Sequence, residues 1–138
     1  MRGMHCLKTW SSTQKNITLS SGEAELVAAV KMSCEVLGMI QLAKEWDVIM
    51  TGSIYVDSSA ALGIVKRKGN GKMRHIKVGQ LWVQERREEG ELKFNKVAGP
   101  ENPGDLMTKN LSERVATKLL DKINQKLSKG RAETALNV

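Results

Sequence analysis

Three acidic side chains stand at positions in this sequence where carboxylates often do chemistry. Glu25 falls in the first turn of a predicted helix, Asp57 directly follows a short apolar strand, and Asp105 opens the segment after a loop with two prolines. Ligands and catalytic groups gather at the carboxyl ends of strands in open α/β sheets, which is where Asp57 is expected. Carboxylates that meet there could bind a ligand or take part in catalysis. The simpler alternative is that an acid such as Glu25 only complements a helix dipole, which contributes roughly a few tenths of a kcal/mol.

The predicted helix that carries Glu25 has a clear start signal. Ser20 can serve as its N-cap while Glu23, three residues later, reaches back to the cap, which is the capping-box pattern. Apolar residues then follow helical spacing to about Trp46, and Gly38 is a point where the helix could be interrupted. The pattern therefore predicts one long amphipathic helix whose first turn presents Glu25.

The rest of the chain alternates between strand-like and helix-like patterns. Residues 4–19, 53–57 and 91–97 each predict extended structure, because apolar and β-branched residues alternate there with polar ones or form a short buried run. Further helices are predicted over residues 60–68, 78–89 and 112–127. We expect the 78–89 helix to turn Leu81 and Trp82 inward. Strands flanked by helical patterns indicate an α/β fold.

The composition is that of a folded domain of ordinary size. The chain has 138 residues, of which 41% are hydrophobic and only 4% aromatic, so the core must be mainly aliphatic. Its only large anchors are Trp10, Trp46 and Trp82. We expect residues 1–128 to form one domain and residues 129–138, which have little pattern, to form a flexible tail.

Cysteine usage and hydropathy indicate the cellular compartment of the protein. Cys6 and Cys34 stand far apart with no CxxC pair and no histidines at ligand spacing, so neither a zinc site nor a disulfide framework is predicted. No unbroken apolar run approaches the roughly 18 residues that cross a bilayer, and no secretory leader is recognisable. We expect an intracellular protein, cytoplasmic or nuclear, that is neither secreted nor attached to a membrane.

The charge balance favours polyanionic partners. The net charge is +7 and the sequence pI is near 9.6, which makes nucleic acid the leading class of partner. Residues 66–77 carry six Lys or Arg and no acid, with glycines interleaved. This basic segment could contact a phosphate backbone without reading bases, or it could be a solvated loop. The side chains that would make the contact are Lys66, Arg67, Lys68, Lys72, Arg74, His75 and Lys77.

Four motifs follow one another along the chain. They are Trp10-Ser11-Ser12-Thr13-Gln14-Lys15 leading to Leu19-Ser20-Ser21-Gly22-Glu23-Ala24-Glu25-Leu26, then Val56-Asp57-Ser58-Ser59-Ala60-Ala61, then Arg74-His75-Ile76, and finally Asn102-Pro103-Gly104-Asp105-Leu106-Met107-Thr108-Lys109. In order and spacing they resemble the ribonuclease H domain of copia-type retrotransposon polyproteins. The resemblance spans roughly residues 6–125, almost the whole chain.

The resemblance implies a ribonuclease H-like fold, a mixed five-stranded sheet flanked by helices, that hydrolyses the RNA strand of an RNA:DNA hybrid during reverse transcription. Such enzymes use four acids to hold two Mg²⁺ ions, one activating water and one stabilising the leaving oxygen. Motif matching makes Glu25, Asp57 and Asp105 three of these catalytic and metal-binding acids. Glu23 falls two residues too early to be the helix glutamate.

The sequence departs from the family's pattern at its start. In the family, two strands precede the Trp-Ser-x-x-Gln segment, and the first of them carries the first catalytic aspartate. The resemblance therefore implies a partial domain that lacks these two strands and this aspartate. Unpaired strand edges are then expected unless the missing upstream strands or the reverse transcriptase portion of a polyprotein cover them. We expect Mg²⁺ to bind weakly and the isolated chain to be inactive.

Three functions from different classes remain open. The chain could be the C-terminal part of a ribonuclease H domain, a non-catalytic nucleic-acid-binding remnant, or a non-functional open reading frame of a decayed element. The basic segment favours the second over the third only if it contacts nucleic acid. We favour the first as the origin of the chain and the third as its present state.

Overall fold

The computed structural model describes residues 6–14, 17–71 and 78–126. They belong to two compact units, one formed by residues 13–102 and the other by residues 1–12 together with 103–138. The first unit contains helices α1 (Ser21–Glu45), α2 (Ser59–Lys66) and α3 (Trp82–Glu88) and strands β1 (Gly52–Val56) and β2 (Leu92–Lys96). The described part of the second unit contains helix α4 (Glu113–Lys122). The mixture of helices and strands agrees with the predicted α/β class.

The two strands form a small parallel sheet. Gly52 lies opposite Leu92 and Val56 lies opposite Lys96. Parallel strands need a crossover between them, and α2 and α3 supply it. Burial alternates along β1, since Ile54 is buried whereas Tyr55 is exposed, so one face of the sheet packs on helices and the other faces solvent.

The core of residues 13–102 lies between the sheet and the helices that cover it. α1 packs against α2 and β1, and α2 packs against β2. The core is aliphatic, as the composition predicts, with one aromatic side chain from β2. Its buried members are Leu26, Ala29, Ile54, Val56, Leu62, Ile64, Val65, Val83, Leu92 and Phe94.

Helix α1 is the longest element and begins and ends close to its predicted limits. Its 25 residues continue without interruption through Gly38. By length and composition alone, α1 is long and apolar enough to cross a membrane, although charged residues interrupt its apolar sequence. The core helix of a soluble protein passes the same test, and Leu26 and Ala29 of α1 are buried in the core.

The predicted strand over residues 4–19 is wrong for the part that the structure describes. Residues 6–14 and 17–20 contain no strand. An alternating pattern makes a strand only where a neighbouring strand pairs with its amides, and in the described sheet β1 and β2 pair only with each other. The five-stranded sheet implied by the resemblance is therefore a two-stranded sheet among the described residues.

Two predicted helices need adjustment. The helix predicted over residues 78–89 is a 3₁₀ turn at Val78–Gln80 followed by α3, and it buries Val83 and Gln84 whereas Leu81 and Trp82 are only partly buried. Helix α4 ends at Lys122, about five residues before the predicted end. The predicted domain boundary at residue 128 and the tail after it lie outside the described residues.

The described part of the second unit is organised around a turn before α4. Pro103–Asp105 forms a 3₁₀ turn that contacts α4. The backbone carbonyl of Asp105 accepts hydrogen bonds from the amides of Thr108 and Lys109, and Met107 takes a positive φ of 70° within the turn. The positive φ of Met107 is uncommon for a residue other than glycine and marks a tightly turned backbone around Asp105.

A close approach of α1 and α2 generates a stability prediction. A methyl group on Gly22 would lie 2.8 Å from Cβ of Ala60, and neither methyl can rotate away. We expect Gly22→Ala to lower the free energy of unfolding by about 1–2 kcal/mol, because overpacking outweighs the gain in helix propensity. Gly63→Ala, in α2 where nothing lies within 4 Å, should instead stabilise by about 1 kcal/mol. Thermal and urea unfolding of both variants measure the difference.

The close approach also predicts that the effect of a substitution at Gly22 on stability depends on the residue at position 60. In a chain that carries Ala60→Gly, the methyl that Gly22→Ala would meet is gone, so the same substitution at Gly22 should become neutral or stabilising. A Gly22→Ala penalty that persists in the Ala60→Gly background would show that α1 and α2 do not meet at this point.

Candidate functional site

The first turn of α1 is fixed by the predicted capping box. The Ser20 hydroxyl oxygen accepts a hydrogen bond from the Glu23 amide at 3.2 Å, and the Glu23 carboxylate accepts one from the Leu19 amide at 2.8 Å. Glu23 is only 6% exposed. Its carboxylate is thus committed to the helix start, which leaves Glu25 as the acid that this turn presents.

A glutamine from the first motif also holds this helix start. The Gln14 side-chain amide donates a hydrogen bond to the Ala24 carbonyl at 2.8 Å. Although residues 13 and 14 form no strand, Gln14 is therefore tied to the turn that carries Glu25. The motif that links Gln14 to the Ser20–Leu26 segment has a physical basis in this contact.

The starts of α1 and α2 lie against each other. Gly22 contacts Ala60 closely enough that a side chain on Gly22 would collide with it. Glu25 is three residues after Gly22 on α1, and Asp57 is three residues before Ala60 at the end of β1. Both residues are partly buried. The acids of two separate motifs therefore each lie three residues along the chain from one helix contact.

The end of β1 that carries Asp57 is held by a lysine from β2. Lys96 Nζ donates to the Asp57 carbonyl at 2.6 Å and to the Ser59 hydroxyl at 2.5 Å. The Ser58 hydroxyl oxygen accepts from the Ala61 amide at 3.1 Å and caps α2, as predicted. Because β1 and β2 are parallel with Val56 opposite Lys96, an ammonium group stands at the same sheet end as Asp57.

Lys96 was not singled out from the sequence. It lies at the exposed end of an alternating strand, where a lysine is the ordinary solvent-facing choice. The missing information was the strand register, which places Lys96 opposite Val56 and hence next to Asp57. A prediction that β1 and β2 are adjacent and parallel could have found this lysine.

Asp105, in the other unit, already has a cationic partner. Lys109 Nζ lies 2.8 Å from Oδ1 and 2.9 Å from Oδ2 of the Asp105 carboxylate, whose side chain is only 13% exposed. The spacing of four residues in the Asp105-Leu106-Met107-Thr108-Lys109 motif brings the two charges together over one turn. The ammonium group neutralises a carboxylate that the resemblance makes a metal ligand.

The three predicted acids differ in what the structure shows of them. Glu25 and Asp57 flank the contact between α1 and α2, whereas Asp105 lies in the other unit. Within residues 6–14, 17–71 and 78–126, no three or more His, Cys, Asp or Glu side chains are grouped so that they could hold a metal ion. The assignment of Glu25, Asp57 and Asp105 as metal ligands stays a prediction.

The described part of the basic segment is partly engaged within the fold. Lys66 is exposed, whereas Lys68 pairs with Glu88 at 3.2 Å and Arg67 donates to the Asn70 carbonyl at 2.7 Å. Of the other predicted contacts, Lys72, Arg74, His75 and Lys77 lie outside the described residues. The nucleic-acid contact therefore stays a prediction for the segment as a whole.

A buried glutamine anchors the start of this segment. Gln84 of α3 donates to the carbonyls of Ile64 and Gly69 at 2.8 and 3.2 Å, and it accepts from the Gly69 amide at 2.9 Å. Sequence patterns did not point to Gln84, because a single polar residue on a helix is usually exposed. Its contacts fix where the basic segment leaves α2.

Comparison with known proteins gives one informative similarity. The chain is 31% identical over 104 residues to the retrovirus-related Pol polyprotein from transposon TNT 1-94 of Nicotiana tabacum. The match covers 73% of this chain but only 8% of that polyprotein. This similarity supports an origin in a retrotransposon Pol polyprotein. No protein-family model and no solved structure matches the chain.

The capping box generates a prediction that separates Glu23 from Glu25. Ser20→Ala and Glu23→Ala should each lower the free energy of unfolding by about 1 kcal/mol, since each leaves a helix-start amide without its acceptor. Glu23→Gln should cost less, because a glutamine oxygen can still accept from the Leu19 amide. Ser21→Ala, which removes an exposed hydroxyl outside the box, is the matched control. Urea unfolding measures all four variants.

One outcome would contradict the assignment of Glu23 to the helix start. If Glu23→Ala unfolds like the unaltered chain, the carboxylate of Glu23 is not needed at the helix start. Glu23 would then replace Glu25 as the acid to test for a functional role.

Proposed function

We propose that this chain is part of a ribonuclease H-type nuclease within a retrotransposon Pol polyprotein, acting on the RNA strand of RNA:DNA hybrids inside the cell. In this proposal the chain supplies acids and basic side chains, and other residues of the polyprotein complete the active site. The isolated 138 residues bind hybrid through their positive charge and do not cleave it.

The contact between Gly22 and Ala60 is the observation that carries this proposal. It brings together the starts of α1 and α2, and each start has an acid three residues from the contact. Glu25 and Asp57 belong to motifs more than 30 residues apart, so composition alone gives no reason for their turns to meet. Metal-dependent hydrolysis of phosphodiesters needs acids that converge, and in this proposal Glu25 and Asp57 meet near this contact.

The acids near this contact carry carboxylate oxygens, which are the type of ligand that Mg²⁺ prefers. Mg²⁺ prefers carboxylate oxygens and is commonly bound by one or two carboxylates together with substrate phosphates. Glu25 and Asp57 would hold the ion, whereas the Asp105 carboxylate would have to leave Lys109 before it could bind one. A bound Mg²⁺ would supply water activation and charge neutralisation for in-line attack on the phosphodiester.

The protein's own groups have separable roles in this proposal. The capping box and the Gln14 hydrogen bond hold the α1 turn, so the Glu25 carboxylate is positioned by groups that do not themselves react. Lys96 fixes the backbone at Asp57 and adds positive charge at the sheet end that a phosphate would approach. The half-buried setting of both acids limits how far their side chains can move.

A non-catalytic nucleic-acid-binding remnant is the second candidate. The net charge of +7 and the exposed Lys66 at the start of the basic segment favour it. Binding of this kind depends on phosphate contacts, so it would be insensitive to base sequence and sensitive to salt. It differs from the first proposal in that no extension of the chain would restore cleavage.

The cleavage assay tests the first proposal. We expect the 138-residue chain to show no Mg²⁺-dependent cleavage of an RNA:DNA hybrid above background, since a two-metal site that lacks a ligand loses on the order of 10³-fold in rate. A longer chain that includes upstream polyprotein sequence with a further aspartate should cleave. Asp57→Asn in the longer chain should abolish cleavage, whereas Asp47→Asn, the same change at an exposed acid after α1, should not.

Two outcomes would contradict this account. Robust cleavage by the 138-residue chain that is lost on Asp57→Asn would mean that these residues already contain every ligand. Cleavage by the longer chain that survives Asp57→Asn would remove Asp57 from the site.

Salt dependence tests the role of the basic segment. Affinity for an RNA:DNA hybrid should fall steeply with salt, and neutralising Lys68, Lys72 and Arg74 to Gln should reduce the log-log slope by about 0.9 for each phosphate that is no longer neutralised. Lys44, Lys93 and Lys126 are exposed lysines elsewhere, and neutralising these three gives a control with the same net charge. Fluorescence anisotropy at several salt concentrations measures the slope. Equal slopes for the two triple variants would assign the basic segment to the solvated-loop alternative.

A further inference from the structure

Helix α1 exposes an apolar stripe on the side away from the core. Its exposed apolar side chains include Met32, Met39 and Leu42, and Trp46 follows the last residue of the helix with 70% of its surface exposed. With Ala28 and Glu35, these residues repeat at alternating steps of four and three residues. Such a repeat is the a and d pattern of a coiled-coil seam, with Met32, Met39 and Trp46 at a and Ala28, Glu35 and Leu42 at d.

We propose that this seam, Ala28 to Trp46, pairs with the seam of a second copy of the chain in antiparallel orientation. In a parallel pair, Glu35 would face Glu35 of the other copy and Trp46 would face Trp46, which puts like charges and two large rings together. The antiparallel arrangement avoids both, because each a residue faces a d residue. The proposal goes beyond the nuclease function and does not depend on it.

One antiparallel register matches size along the seam and charge on its flank, with Glu35 facing Met39 of the second copy. When Met32 faces Leu42 of the second copy, Trp46 faces Ala28, so the largest side chain meets the smallest. In the same register Lys31 comes next to Glu45 of the other copy, twice by symmetry. These two residues flank the seam on the side away from the core. Opposite charges at such flanking positions set orientation and register in helix pairs.

The middle of the seam permits close approach of the two helices. Gly38 lies on the same flank, halfway between Lys31 and Glu45, and it meets its own copy near the two-fold axis. A Cβ on Gly38 would have nothing within 4 Å among the described residues, although Gly38 borders a cavity that Arg86 and Glu89 also line. A glycine at the crossing point lets two helix backbones approach without side chains between them.

Other surfaces that could cover the stripe fit less well. A membrane-spanning α1 would have to leave the sheet, although Leu26 and Ala29 hold it in the core. A helix lying on a lipid surface would need its charges on the opposite face, whereas Glu35 lies within the stripe. The opposite charges of Lys31 and Glu45 match a second copy of this helix.

Sedimentation equilibrium of the full 138-residue chain tests the proposal. One helix pair buries less than a standard interface, so we expect a reversible dimer with a dissociation constant on the order of 10 μM. Leu42→Gln should weaken it on the order of 100-fold, because each copy gives up a leucine that the dimer buries. Leu19→Gln, the same change at an exposed leucine before α1, should leave it unchanged. Circular dichroism checks that each variant is folded.

Charge reversal tests the orientation and register. Lys31→Glu and Glu45→Lys should each weaken the dimer roughly 10-fold, and the chain with both changes should regain the original affinity. A chain that stays monomeric at all concentrations, or a dimer that Leu42→Gln does not weaken, would overturn the proposal. Failure of the double reversal to restore affinity would overturn the antiparallel register. A monomer that sediments with phosphatidylcholine vesicles and loses this binding on Leu42→Gln would assign the stripe to a lipid surface.

Discussion

The contact between Gly22 and Ala60 is the constraint on which the rest of the first unit, residues 13–102, depends. A Cβ on Gly22 would lie 2.8 Å from Cβ of Ala60, which is too close for two methyl groups. The two helices can approach this closely only because Gly22 has no side chain. Gly22 lies in the first turn of α1, and the core residue Leu26 follows one turn later. The same approach therefore fixes the first turn of α1, which precedes Glu25, against the start of α2.

The sheet end next to this contact is stabilised by polar groups. Lys96 reaches from β2 to the backbone after β1, the Ser58 hydroxyl caps α2, and the Ser20 hydroxyl caps α1. Each satisfies a backbone group that a helix start or strand end leaves without a partner. These bonds fix the turns on which Glu25 and Asp57 lie.

The sequence predicted what is encoded locally and failed where a distant partner decides. The capping box at Ser20 and Glu23, the limits of α1, and the strand before Asp57 follow from short-range patterns and were confirmed. The strand predicted over residues 4–19 was wrong, because alternation does not state whether a neighbouring strand exists to pair with it. Lys96 and Gln84 were missed for the same reason, since their roles come from residues 15 to 39 positions away.

Motif matching proposed the acids of the candidate site but not the partner of Asp105, although that partner is local in sequence. Lys109, four residues later, was visible in principle as that partner. A mostly buried carboxylate held by an ammonium group at 2.8 Å must exchange one cation for another before it can bind Mg²⁺. The exchange is favourable only where other carboxylates raise the negative potential and so attract a divalent ion more strongly than a single ammonium group. Each added carboxylate makes the release of Lys109 easier, so metal binding at an assembled site would be cooperative in the number of acids present.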